Sequence, residues 1–330
     1  MSRDISSTRQ GALAFDPPLA EAPQAHAPQT RLGRGQLRAL ADMALAMLLV
    51  GATAPLGEIA LAGIPLFPAL AVRLALAGLA LSAFGLREGQ TQKLLPRHWA
   101  VLTLQALCGV VVFNAGLWLG MRESSPAAAG VFTSATPAVM AALGMLFFGE
   151  RPSARTVAGI GLTMAGVAAA RGVTKLAWNP GAGDLLLLAA VCGEAVFLLA
   201  LRWLPKWLSP LGAARRVTWI GLAMTVPLAL VQWAWGTDAG PGSAGTAIMG
   251  GIGAWLAVAA LGVLVTAGGY VLWFRGVGSV RAGQAAAITG LMPVSAVLSS
   301  WLLLGAAPTP GQALGCAAVG AGIWLAARKG

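Results

Sequence analysis

Glu194 is the residue best placed to do chemistry. It lies about eleven residues into the apolar run 183–203 and is the only carboxylate so placed. An ionised carboxylate inside hydrocarbon costs at least a few kcal/mol. The side chain therefore meets a cationic group, carries a proton, or sits neutral and hydrogen-bonded between helices. Asn114 and Trp118 are four apart and share one helix face. Tyr270, the only tyrosine, stands near Trp273 and has a hydroxyl that needs a partner when buried. These aromatics either line a pocket or anchor helix ends at the membrane interface. Thr133 and Thr289 each precede a proline by one turn, Pro137 and Pro293. The proline withholds the N–H that the threonine carbonyl would accept, which leaves a polar ligand site or a locally satisfied kink. Gln284 is a further lining candidate. Asp42, Arg73, Asp184 and Arg215 form two related acid–base sets. They either pair across the two mouths of a cavity as gates, or the aspartates cap helices while the arginines snorkel.

These candidates contain no catalytic set. His26 and His98 lie outside the apolar runs, and the chain has no HExxH motif, no paired aspartates within those runs and no GxxxxGK[ST] phosphate loop. Cys108, Cys192 and Cys316 all fall in apolar runs, so neither a disulfide framework nor a metal cluster is implied. The expectation is a protein that is not an enzyme and holds no metal or cofactor.

The elements that position these groups follow from composition. Of 330 residues 57% are hydrophobic and only 10% charged, with mean hydropathy +0.76. A soluble domain carries roughly 25% charged residues, so the chain reads as an all-helical protein that crosses a membrane many times. A span needs roughly 20 apolar residues. The runs 38–57, 64–86, 99–121, 125–148, 154–171, 183–203, 210–234, 250–275, 281–304 and 309–327 predict ten. Residues 1–37 are rich in Pro, Ala, Gln and Ser and lack a signal-peptide core, so they read as a disordered cytoplasmic tail. With that tail inside, eighteen Arg and Lys fall in the inner segments and three, Arg122, Arg171 and Lys175, outside. This bias places both termini in the cytoplasm. It also accounts for the net charge of +11 without nucleic acid. Arg outnumbering Lys, with abundant Ala and Gly, points to a GC-rich bacterial genome and hence an inner (plasma) membrane.

The chain also repeats itself. Residues 129–170 match 285–326 at an offset of 156, pairing Thr133 with Thr289, Pro137 with Pro293, Gly149 with Gly305 and Pro152 with Pro308. Upstream the offset is 142 and pairs Asp42 with Asp184, Pro68 with Pro210 and Arg73 with Arg215. The same 156 offset brings Asn114 onto Tyr270 and Leu117–Trp118 onto Trp273–Phe274. The halves, 38–171 and 183–327, hold five spans each. An odd number makes the second enter from the opposite side, and two inverted halves enclosing a midplane cavity can alternate access to a solute. Gly159-x6-Gly166 and its twin Gly315-x6-Gly322 predict close helix packing, with a monomer or weak homodimer expected.

The stretch 116–149, "GLWLGMRESSPAAAGVFTSATPAVMAALGMLFFG", followed by Glu150-Arg151-Pro152-Ser153, resembles the repeat signature of EamA-type transporters of the drug/metabolite transporter superfamily. Residues 272–309 resemble it again, with Gly305-Ala306 in place of Gly-Glu. In the first helix Val50 and Thr53 replace the family's aromatic and Asn. The resemblance implies ten helices around a central cavity and export of amino acids, aromatic ones included, or of other small metabolites. One acid with amides, hydroxyls and aromatics suits a small zwitterion with an apolar side chain better than a phosphate ester, which needs several central Lys or Arg. Drugs, cations or nucleobases are the alternatives for a carrier; a channel or a membrane-embedded enzyme is the alternative class.

Overall fold

The computed structural model describes residues 34–85, 93–123, 136–149, 154–170, 181–235, 251–277, 279, 288, 291–305 and 307–327. Among these every regular element is helical. The first half holds α1 (Arg34–Gly51), α2 (Thr53–Leu61), α3 (Leu66–Gly85), α4 (Pro96–Ala106), α5 (Phe113–Glu123), α6 (Thr136–Phe148) and α7 (Ala154–Ala170). The second holds α8 (Ala182–Ala200), α9 (Pro210–Trp235), α10 (Ile252–Ala260), α11 (Gly269–Val277), α12 (Leu291–Leu304) and α13 (Pro310–Ala327).

Six rods are long and apolar enough to cross a bilayer: Arg34–Leu61, Leu66–Phe84, Pro96–Gly120, Ala182–Trp203, Pro210–Ala234 and Ile252–Gly276. They fall on the first, second, third, sixth, seventh and eighth expected runs. The first extends beyond 57 to Leu61 and takes the exposed Glu58 into its last turn. Where the other four runs are expected stand α6, α7, α12 and α13, of 13, 17, 14 and 18 described residues. Outward faces are apolar: Leu79, Leu230, Leu256 and Leu302 are all exposed. Hydrocarbon accommodates such a surface where water would not.

Packing between the halves is reciprocal. The first rod lies against α11 and α12, while α8 lies against α5 and α6. By the repeat offsets these are the same contacts with the halves exchanged. Along one flank α3 packs on α9, and along another α7 packs on α13. The pair α3 and α9 runs antiparallel. The Phe67 N–H donates to Gln232 Oε1 at 2.9 Å near one end, and Trp219 Nε1 donates to Ser82 Oγ at 3.1 Å near the other. In the α7–α13 pair Gly159, Gly315 and Gly322 are buried, as the spaced glycines predict.

Two features lie beyond what hydropathy can reveal. Spans three and eight each carry a π-helical segment, Leu107–Val112 and Leu261–Gly268. The 156 offset superimposes them. Such a widened turn is uncommon and is often found where a backbone is adapted to a site. The twins Gly149 and Gly305 both take left-handed backbone, φ +64° and +70°, just beyond α6 and α12. Their N–H groups close the helix ends on the Met145 and Trp301 carbonyls at 3.2 and 3.0 Å. Glycine alone adopts that conformation without steric cost, which explains its recurrence at both positions.

Candidate functional site

A small, half-open cleft lies among α2, α3, α5 and the α10 end of the eighth span. Its floor is made of small and branched side chains, Ala60, Ala69, Val258 and Leu261, at the junction of the two halves. Leu61, Leu66 and Leu70 add aliphatic wall. Trp118 supplies the aromatic wall, and Gly57 makes room for it. A Cβ at that glycine would stand 2.7 Å from the indole Cζ2.

Three polar side chains line the cleft: Thr53, Arg73 and Asn114. Arg73 projects from the second turn of α3 and donates through Nε to Thr266 Oγ1 at 3.1 Å. Thr266 belongs to the second π-segment and gives its own proton to the Leu261 carbonyl at 2.8 Å, five residues earlier. The widened turn thus turns a lone pair toward the arginine. Asn114 Nδ2 donates to the Val110 carbonyl at 2.7 Å, inside the first π-segment. Thr53 Oγ1 donates to the Val50 carbonyl at 2.6 Å.

Glu194 stands apart from this cleft. It is the thirteenth residue of the Ala182–Trp203 rod, about 18 Å along a rod of about 33 Å at 1.5 Å per residue. This is close to mid-depth, as expected. It is half-buried, and its Oε2 accepts from Thr136 Oγ1 at 2.7 Å, linking α8 to α6. Thr133, the threonine expected here, lies outside the described residues, as do Gln284 and Thr289. Thr136, one turn further on, is the hydroxyl in contact.

Tyr270 and Trp273 are half-buried in α11. The Tyr270 ring stacks on Phe274 at 5.9 Å with planes 11° apart. The repeat therefore does not make the cleft symmetric: Asn114 and Trp118 line it, while their twins pack alongside. Among the acid–base sets, Asp184 accepts the Gly181 N–H at 3.3 Å and closes the start of α8. Asp42 is more than two turns into α1 and half-buried, too deep to cap it. Arg215 is half-buried on α9, and Arg73 has Thr266 as its hydrogen-bond partner. Thr136 and Thr266 escape sequence reading because one hydroxyl in an apolar run is unremarkable until its neighbour is known, and Thr53 stands out there only as a departure from the family pattern.

Comparison with known proteins agrees with this architecture. The EamA-like transporter family matches residues 38–171 and again 181–328. A Bacillus subtilis (strain 168) protein described as an uncharacterized transporter, YetK, is 29% identical over 279 residues, 83% of this chain and 82% of that one. A protein of known crystal structure shares the fold with a TM-score of 0.61 at 21% identity, over 88% of this chain and 96% of its own. Membrane-crossing rods and a family match over both halves make this a multi-pass membrane protein of the transporter class, and the chain belongs to the EamA-like transporter family.

Proposed function

We propose that the protein is a secondary carrier of ten spans in two inverted halves, exporting small metabolites by alternating access. Amino acids with apolar or aromatic side chains are the first candidates. The observation that carries this reading is the half-open cleft at the junction of the halves. Its aliphatic and indole walls leave few polar groups, which suits a small solute with an apolar body. The antiparallel run of α3 against α9 supports inversion, because the repeat makes these two helices equivalents. Antiparallel packing of equivalent helices fits halves of opposite orientation. The Arg and Lys distribution supports cytoplasmic termini in a bacterial inner membrane.

Glu194 supports proton coupling as the energy source. A carboxyl at mid-depth that accepts, among the described residues, one hydroxyl hydrogen bond is able to take up and release a proton as access changes. The test is counterflow in liposomes holding the purified protein, with radiolabelled amino acids, nucleobases and organic cations presented in turn. Saturable uptake of apolar or aromatic amino acids, stimulated by the same amino acid inside, is expected. Unsaturable flux would mark a channel, and selective counterflow of nucleobases or cations would replace the substrate class.

A further inference from the structure

The polar groups of the cleft offer one cationic donor and two acceptor oxygens. Arg73 uses Nε on Thr266. Among the described residues no carboxylate and no other acceptor meets its two terminal amino groups. An arginine inside a membrane span, held by one neutral hydroxyl, is a cation still able to take an anion, and the fork it presents matches a planar carboxylate through two parallel bonds. The two other polar groups are neutral and carry acceptor oxygens. Asn114 donates one amide proton to the Val110 carbonyl and keeps the other, and Thr53 commits its hydroxyl proton to Val50. Each retains acceptor oxygen, the Oδ1 of Asn114 and the lone pairs of Thr53 Oγ1, neither of which meets a protein donor among the described residues. Oxygen acceptors of this kind suit an ammonium.

We propose that Arg73, Asn114 and Thr53 form the headgroup subsite of the carrier, with Arg73 taking the carboxylate of a zwitterionic solute and Asn114 and Thr53 its ammonium. The solute's side chain then lies against Trp118 and the aliphatic wall. This rests on the carrier reading and narrows it: the head of the substrate is read in the first half of the chain, away from Glu194. Thr266 acts as a positioning residue, since its hydroxyl orients the guanidinium without lining the cleft.

Three probes separate the parts of the headgroup: L-phenylalanine, its amide, which keeps the ammonium only, and 3-phenylpropionate, which keeps the carboxylate only. Binding is read as stabilisation of the purified full chain in nanodiscs, and translocation as liposome counterflow. The parent protein is expected to bind phenylalanine about tenfold to a hundredfold more tightly than the amide, the range of a charge-assisted pair. It should bind 3-phenylpropionate measurably as well. In Arg73→Gln the acid-to-amide ratio falls to about one. Arg73→Lys, which keeps the charge and spares helix packing, gives an intermediate ratio because a point charge replaces the fork. Asn114→Leu weakens phenylalanine more than 3-phenylpropionate, which a merely structural role would not do. Equal binding of acid and amide by the parent, or a ratio that survives Arg73→Gln, overturns the subsite even if phenylalanine is carried. Carboxylate-dependent binding without translocation of any probe overturns the amino-acid carrier reading and leaves the subsite standing.

Discussion

Replacing Gly262 by alanine tests how the second and eighth spans hold the cleft in shape. Gly262 is the second residue of the second π-segment, and a Cβ there would stand 2.7 Å from the Arg73 carbonyl oxygen and 3.0 Å from Leu76 Cβ. Ordinary contact begins at 3.4 Å, so α3 must withdraw by about 0.7 Å. A carbonyl engaged in a helix cannot yield alone, and the whole helix has to move. The same displacement stretches the 3.1 Å bond from Arg73 to Thr266 beyond useful hydrogen-bond length. Overpacking of this kind costs about 1–3 kcal/mol, and a lost hydrogen bond adds about 0.5–1.5 kcal/mol. Gly253, in the same span, has nothing within 4 Å of the position its Cβ would take. Gly253→Ala therefore shares the change in helix propensity without the clash. Reversible unfolding of the two variants in mixed micelles should place Gly262→Ala about 2–4 kcal/mol below Gly253→Ala. The preference of the cleft for acid over amide should fall with it. Equal stability and an unaltered preference would refute the claim that close backbone approach at Gly262 sets the arginine.

Other changes give distinct signatures. Glu194→Gln should abolish stimulation of counterflow by a proton gradient, whereas the parent with one coupled proton sustains up to about tenfold accumulation per pH unit, read from tracer ratios at imposed gradients. At Gly305, with φ +70°, valine should cost at least about 1–2 kcal/mol and asparagine less, measured by the same unfolding assay. Gln105 is fully buried, with Nε2 on the Phe197 carbonyl at 2.9 Å and Oε1 lacking a donor. Gln105→Met removes the bond and the orphaned oxygen together, so its stability should stay within about 1 kcal/mol of the parent.

What was legible in the sequence is what acts along the chain. Runs of apolar residues dictate helices because hydrocarbon leaves a backbone no other partner, so six rods stand where six of the runs predict them. The paired prolines, threonines and glycines announce a duplicated unit, and Gly149 and Gly305 show why one pair is glycine: the same left-handed turn closes both helices. Glu194 was legible by depth alone, because a carboxylate in the middle of an apolar run stands out whatever surrounds it.

Tertiary structure decided everything that depends on which helix faces which. Arg73 and Thr266 are 193 residues apart, and no local pattern couples a guanidinium to that hydroxyl. The π-segments come from one added residue per turn, a change in backbone register that leaves the hydropathy pattern intact. Sequence symmetry suggested that Asn114 and Tyr270 would face one cavity alike, yet only Asn114 lines the cleft described here. Equivalent positions share a helix face, but a half-open cleft forms where packing is incomplete, and that is set by side-chain volumes contributed from both halves.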